Sequence, residues 1–249
     1  MGDGTQKSSP QPTANWTPLT ETKWFQWSIR ILRWGGYAFL SCVAVLLLGY
    51  LVLKSQPLPQ PNQPLTTRIY SADETLIDEL HQGEKRQYVP LEEIPSALIN
   101  ATIAVEDKDF FKHFGVSPRG ILRAAWANLK AGDIVEGAST ITQQLARNLY
   151  INHDRTWSRK LKEMKYALQL EIHYSKDEIL EMYLNEIYFG HKAYGVGQAA
   201  QMFFGKKPGE LTVAECALLA GIPKGAGVYS PYLHPDNAKD RQRVVLRAM

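Results

Sequence analysis

Cysteine is almost absent. Cys42 and Cys216 are the only two among 249 residues, and Cys42 lies inside a long apolar run, so a disulfide between them is not expected and a thiolate zinc site is excluded. No excess of one charge is present either: Lys and Arg number 28 against 25 Asp and Glu. Beyond Lys54 the two signs balance, which leaves no overall basic field for nucleic acid. There is no H-E-x-x-H pair and no Walker loop. With 45% apolar and 21% charged residues, disorder and collagen-like repeats are excluded, and the length suits one domain or two small ones.

What the chain does have is the run WGGYAFLSCVAVLLLGYLVL at 34–53, 20 residues without a charge. As a helix it is long enough to cross a hydrocarbon core of about 30 Å. A cleaved signal peptide has a shorter apolar core and a small-residue cleavage site, whereas Lys54, Ser55, Gln56 and Pro57 follow here, so an uncleaved anchor is expected. Lys23, Arg30 and Arg33 precede the run and only Lys54 follows closely, which favours the amino terminus inside. Trp24, Phe25 and Trp27 suit a membrane-interface belt, and the polar residues before them suit a disordered tail. PLPQPNQPL follows, with four prolines in nine residues, and reads as an extended, semi-rigid spacer. The organisation expected is a cytoplasmic tail at 1–33, a transmembrane anchor at 34–53, a linker at 54–65 and an outer domain at 66–249.

Thr66 to Tyr70 and Arg86 to Val89 are β-prone and read as a small extended pair. Beyond Pro95 nearly everything reads as helix. Ser117 and Pro118 open a helix that Gly132 stops, with Ile121, Leu122, Ala125, Trp126 and Leu129 as its apolar face. Trp157, Leu161, Met164, Leu168 and Ile172 recur at helical spacing. Capping boxes at Ser175 to Glu178 and Thr212 to Glu215 open two further helices, the first reaching about Tyr188 and the second closing near Gly221.

Three segments carry candidate chemistry. VEDKDFFKHFG crowds Glu106, Asp107 and Asp109 beside Phe110, Phe111 and Phe114; like charges and apolar neighbours both raise a carboxyl pKa, which suits a general base, although acids facing solvent over a phenylalanine core would give the same spacing. EGASTITQQLARN sets Gly137, Ser139 and Thr140 at a helix start before Gln143 and Gln144, offering backbone donors to a phosphate or sugar, or simply an N-cap at Ser139. From Arg147 to Lys165, six basic residues face only Asp154 and Glu163, a local excess that suits a pyrophosphate. Glu163 leaves the apolar stripe and lies one turn from Arg159, as a surface salt pair would. Glu171 falls close to that stripe and is expected to be partly buried or paired. Gly195, Gly197 and Ala200 match G-x-G-x-x-A, but after a helix and an aromatic loop rather than a strand, so a dinucleotide site is not expected.

Taken in order, these segments resemble the peptidoglycan glycosyltransferases of family 51, found as the first catalytic domain of class A penicillin-binding proteins and as monofunctional transglycosylases. The likeness covers roughly Arg68 to Met249. It rests on E-D-x-x-F-x-x-H-x-G at Glu106, Asp107, Phe110, His113 and Gly115, and on G-G-S-T-I-T-Q-Q at Gly137 to Gln144, with Ala138 for the second glycine. It continues through R-K-x-x-E at Arg159, Lys160 and Glu163, then EILEMYLNEIYFG from Glu178 to Gly190, then RQRVVL from Arg241 to Leu246.

The resemblance implies a mainly α fold, a lysozyme-like helical lobe with a smaller membrane-associated jaw, preceded by one transmembrane helix. It implies polymerisation of lipid II into β-1,4 glycan strands with inversion and release of undecaprenyl pyrophosphate. Glu106 would be the general base and Glu163 the second catalytic residue, organising the donor pyrophosphate site. Asp107, Ser139, Thr140, Gln143, Gln144, Arg147, Arg155, Arg159 and Lys160 would bind substrate, Arg147 standing for a commoner lysine. No cofactor is called for beyond a divalent cation, magnesium or manganese, that a pyrophosphate can carry. The expected partners are lipid II, the growing glycan strand, the membrane and other cell-wall synthesis proteins, with no nucleic acid. The expected location is the cytoplasmic membrane of a bacterium, single-pass, with the catalytic domain outside.

Phe110, Phe111, Phe114, Ile121, Leu122 and Trp126 suit either a jaw surface that dips into lipid or ordinary core packing. A glycan-cleaving lysozyme-like enzyme is the rival chemistry, but the basic cluster has no role in it. A silent scaffold is the rival without chemistry. No Ser precedes a Lys by three residues and no K-T-G occurs, so a serine acyl-transfer site is absent. Because the sequence stops within a helical pattern after the fifth motif, a longer protein with a transpeptidase domain is expected.

Overall fold

The computed structural model describes residues 23–61, 67–70, 76–80, 85–133, 135, 137–151 and 157–249. Two compact units divide the chain at Val52 and Leu53. The first holds most of α1 (Lys23–Ser55), whose portion Trp27–Ser55 is long and apolar enough to cross a membrane. Its apolar side chains are exposed along its length, including Trp34, Phe39, Leu46 and Leu48.

The second unit is mainly helical, as expected. Two short strands, β1 (Thr67–Tyr70) and β2 (Leu76–Leu80), pair antiparallel. A third, β3 (Lys85–Arg86), runs parallel to β4 (Ala193–Tyr194). The sequence reading is corrected here: the partner of the first strand is the nearer 76–80 segment, which closes a shorter loop, and not Arg86 to Val89. The helices are α2 (Ser96–Glu106), α3 (Pro118–Ala131), α4 (Ile141–Tyr150), α5 (Trp157–His173), α6 (Lys176–Glu186), α7 (Gly195–Phe204), α8 (Val213–Gly221) and α9 (Pro235–Ala248). α2 packs on α8, which packs on α9, while α4 lies against α5 and α6. Leu98, Ala101, Phe110, Leu145, Leu170, Leu180, Leu184 and Leu219 fill one continuous core between these layers.

The helix ends follow their capping chemistry. Ser117 accepts from the Gly120 amide at 3.0 Å, and Gly132 stops α3 at φ 70°. Both predicted capping boxes form, at Ser175 with Glu178 and at Thr212 with Glu215. α6 ends at Glu186, short of Tyr188. α4 starts one residue later than read: Thr140 is the N-cap, paired with Gln143 in a capping box, and Ser139 is released for another partner.

Neither predicted apolar stripe is the buried face of its helix: that of α3 points outward, and on α5 Met164, Leu168 and Ile172 are only half-buried. On α5 the buried face carries Glu163, Ala167 and Leu170, whereas Leu161 of the predicted stripe is 65% exposed. Glu163 is therefore not a surface residue: it is 1% exposed. On α3 the buried positions are Gly120 and Ala124, and Ile121, Leu122, Trp126 and Leu129 face outward. Phe110 is core, so it leaves the proposed lipid-facing set, while Phe111 and Phe114 remain exposed.

The glycine pattern at 195–200 is explained by packing. A two-residue strand does precede Gly195, contrary to the sequence reading. Yet a Cβ on Gly195 would lie 2.5 Å from the Asn185 carbonyl oxygen, and one on Gly197 would lie 2.7 Å from that of Gln87. Those glycines admit neighbouring backbone and leave no cradle for a phosphate. Residues 57–61 carry no helix or strand, as their prolines predict, but Leu58 packs on the core and Gln169 Nε2 donates to the Leu53 and Gln56 carbonyls at 3.3 and 3.2 Å. The start of this proline-rich segment thus packs on the helices of the second unit, to which it belongs.

Candidate active site

The site forms where the carboxyl end of α2 meets the amino end of α4. Glu106 is the last residue of α2, and the chain turns away at Asp107. Both Asp107 oxygens lie against His113 Nε2, at 3.0 and 2.9 Å, and Oδ2 also accepts from the Ile141 amide at 3.1 Å. A carboxylate at the first turn of α4 satisfies one of its free amides and complements the helix dipole. Thr140 completes the join: its hydroxyl donates to the Gly115 carbonyl at 2.6 Å and accepts from the Gln143 amide at 3.1 Å. Gly115 has φ +76°, and a Cβ there would meet the Ala167 carbonyl oxygen at 3.0 Å. Motif one therefore requires glycine at this position for both conformation and space.

Glu106 has two unlike oxygens. Oε2 accepts from Gln144 Nε2 at 2.8 Å, while Oε1 is buried and takes no hydrogen bond from any described residue. Behind it, Tyr183 donates its hydroxyl to Gln144 Oε1 at 3.2 Å. Burial pushes the Tyr183 phenol far above its usual range, the Glu106 carboxylate pushes it further, and the Arg147 guanidinium partly offsets this.

A second group of side chains meets at Glu163. Its carboxylate pairs with Lys160 Nζ at 2.9 Å and lies 3.4 Å from Arg159 Nε. Lys160 also reaches Ser139 Oγ at 2.9 Å and Gln143 Oε1 at 3.4 Å. One lysine thus joins the second and third sequence motifs. Arg147 lies in the last turn of α4, one turn beyond Gln144. Arg155 lies outside the described residues.

Glu106, Asp107, Ser139 and Thr140 line one cavity of about 280 Å³ together with Gly137 and Arg123. Sequence reasoning missed Arg123, which sits one turn beyond Gly120 on the inner side of α3, because the outward apolar face of that helix gave the only clear periodic signal. It also missed Tyr183, although the fourth motif contains it. Glu171, expected to be buried or paired, is both: Thr142 Oγ1 donates to it at 2.6 Å and Lys176 Nζ pairs with it at 2.7 Å. Lys176 in turn lies 4.4 Å from the Phe110 ring centroid. This network ties α4, α5 and α6 to the Phe110–Lys112 turn. Among the described residues, no three His, Cys, Asp or Glu side chains converge as a metal-binding set.

Comparison with known proteins places this geometry. A family model described as "Transglycosylase" matches residues 73–249, well over half of the chain. The chain is 48% identical over 215 residues to penicillin-binding protein 2D of Bacillus subtilis (strain 168), covering 86% of this chain and 31% of that protein. It is 45% identical over 190 residues to penicillin-binding protein 1A of Neisseria gonorrhoeae, covering 76% and 23%. Among solved structures it is similar to penicillin-binding protein 1A from Haemophilus influenzae, at 27% identity and a TM-score of 0.40, covering 78% of this chain and 19% of that one. The chain spans about a quarter to a third of the length of the curated relatives it matches. The motifs at Glu106, Ser139 to Gln144 and Lys160 to Glu163 that converge in the fold all fall within the matched residues, and the chain belongs to the transglycosylase family, the peptidoglycan glycosyltransferases of family 51.

Proposed function

We propose that this chain polymerises lipid II into β-1,4 glycan strands, with Glu106 as the general base. The observation that carries the reading is the asymmetry of Glu106, a residue that lines a cavity with Arg123 and Ser139: one oxygen is held by Gln144, and the other is buried with no hydrogen bond from any described residue, which leaves it the one to take a proton. The 4-hydroxyl of the acceptor disaccharide gives its proton to Glu106 Oε1 as its oxygen bonds to the anomeric carbon of the donor. The bond from that carbon to the pyrophosphate oxygen breaks, and undecaprenyl pyrophosphate leaves with the electron pair, inverting the centre. Lys160 and Arg159, oriented by buried Glu163, and Arg147 counter the charge developing on the pyrophosphate. Glu163 is a positioning residue in this scheme, because its oxygens are turned to those cations. Ser139 and Gln143 hold Lys160 from the other side.

The same reading assigns 34–53 as the membrane span, 1–33 to the cytoplasm and 66–249 to the outer surface of the bacterial cytoplasmic membrane. The exposed apolar face of α3, with Leu122 and Trp126 each 71% exposed, supports a domain that dips into lipid to reach the isoprenoid tail of its substrate. The test is glycan formation from labelled lipid II in detergent, comparing the parent chain with Glu106→Gln after both are shown to be folded. Polymer from the parent alone supports the reading. Polymer from both removes Glu106 from the mechanism, and no polymer from the folded parent opposes the transferase itself.

A further inference from the structure

An ionised carboxylate can only accept hydrogen bonds. The Gln144 amide, 2.8 Å from Glu106 Oε2, must therefore turn its NH₂ toward Glu106, and its own oxygen then faces away. What it faces is the Tyr183 hydroxyl, at 3.2 Å, on a side chain with almost no exposed surface. Only one orientation of the amide satisfies both neighbours. If the amide turned over, it would set oxygen against carboxylate and NH₂ against the phenol, whose hydrogen would then have no acceptor there.

We infer that Tyr183 is a positioning residue for the reaction: its hydroxyl fixes the direction of the Gln144 amide, which occupies Glu106 Oε2 and leaves Oε1 as the oxygen that takes the proton. This rests on Glu106 being the base. Burial keeps the phenol protonated throughout the ordinary working range, so the donor is permanent. The register of α6 supports the assignment. Leu180 and Leu184, on either side of Tyr183, are ordinary core residues, and Tyr183 is the position on that face from which a hydroxyl reaches α4. Phenylalanine would fill the same core volume, so the hydroxyl is present for what it donates to.

The test is a double-mutant cycle on lipid II polymerisation by the whole chain in detergent, with kcat and KM measured separately and folding checked by thermal midpoint. Tyr183→Phe is expected to lower kcat about ten- to a hundredfold, the scale of a misaligned catalytic group, with KM changed less than about twofold. Gln144→Ala is expected to cost as much, and adding Tyr183→Phe to it little more, because the hydroxyl acts through that amide. Gln144→Glu gives an independent check with Tyr183 in place: it still accepts from the phenol but offers Glu106 no amide hydrogen, and kcat must fall. Unchanged kcat in Tyr183→Phe or in Gln144→Glu overturns the inference, as does a Tyr183→Phe loss that multiplies undiminished on the Gln144→Ala background. Glu106→Gln run in parallel separates the two levels. An inactive Glu106→Gln beside a fully active Tyr183→Phe overturns the positioning role alone, and an active Glu106→Gln overturns the reading beneath it.

Discussion

His113 grips both oxygens of Asp107 through a single nitrogen, at 3.0 and 2.9 Å, and the same carboxylate receives the amide of Ile141. The two motif residues next to the candidate base are therefore the joint that fixes α2 against α4. Both side chains are 6% exposed. Asp107→Ala is expected to lose ~1.5–3 kcal/mol of stability, the range for hydrogen bonds to a charged group. Denaturant titration of Asp107→Ala, His113→Ala and the double variant checks this, and losses that simply add would show the pair to be uncoupled.

Glu163 makes the opposite kind of pair, one buried carboxylate serving two half-exposed cations. Arg159 and Lys160 keep 30% and 40% of their side-chain surface, so they can turn to water when the acid is removed. Glu163→Gln should accordingly cost far less than the 3–5 kcal/mol of a stranded buried charge, on the order of 1 kcal/mol. Its effect belongs to substrate: with the two cations no longer aimed, polymerisation of lipid II should fall at least tenfold while the thermal midpoint shifts by a few degrees. A large midpoint drop with normal activity in the surviving folded fraction would assign Glu163 to the core alone.

What could be read from the sequence, and what could not, follows from how each signal arises. Capping is local, so Ser117, Ser175 and Thr212 were each identified as helix starts from three or four residues. The motif residues around Glu106 and Thr140 were legible for the same reason, as ordered strings. Burial was not, because an apolar stripe tells only that a face avoids water. On α3 that face lies outside the core, and on α5 the inward face carries Glu163, which periodicity assigns to solvent. The contact from Lys160 to Ser139 and the relay from Tyr183 to Glu106 span 21 residues or more of chain, and no local pattern encodes such pairings.

The outward stripe of α3 makes a claim about environment that a single label can test. After Cys42 and Cys216 are replaced by Ala, an environment-sensitive fluorophore on Leu122→Cys should emit to the blue of its value in water when the whole chain is reconstituted into lipid vesicles. The same label on Lys130→Cys, in the last turn of the helix, should stay water-like. A buried apolar side chain of this size contributes about 1.5–3 kcal/mol, so Leu122 and Trp126 together would hold the domain firmly at the surface. Water-like emission at position 122 in the presence of vesicles would show that this face does not enter lipid.

Outside the residues that line the cavity, Glu215 gives the fold an acid-sensitive joint. Lys206 Nζ, 2.7 Å from Oε1, and the Thr212 amide, 2.8 Å from Oε2, hold its carboxyl at about 2, with the capping box of α8 built on the same oxygen. An unfolded glutamate titrates near 4.3, so between these values the folded chain keeps a charge that the unfolded chain has lost. The stabilisation from this pairing is complete above about pH 5 and disappears as the pH falls toward 2, because the unfolded state then binds the extra proton. Glu215→Gln should lower the thermal midpoint at pH 7, and the gap to the parent should narrow steadily between pH 4.5 and about 2. Thermal scans of both proteins across that interval measure it, and a gap that stays constant with pH would mean that the loss comes from packing at α8 and not from the charge on Glu215.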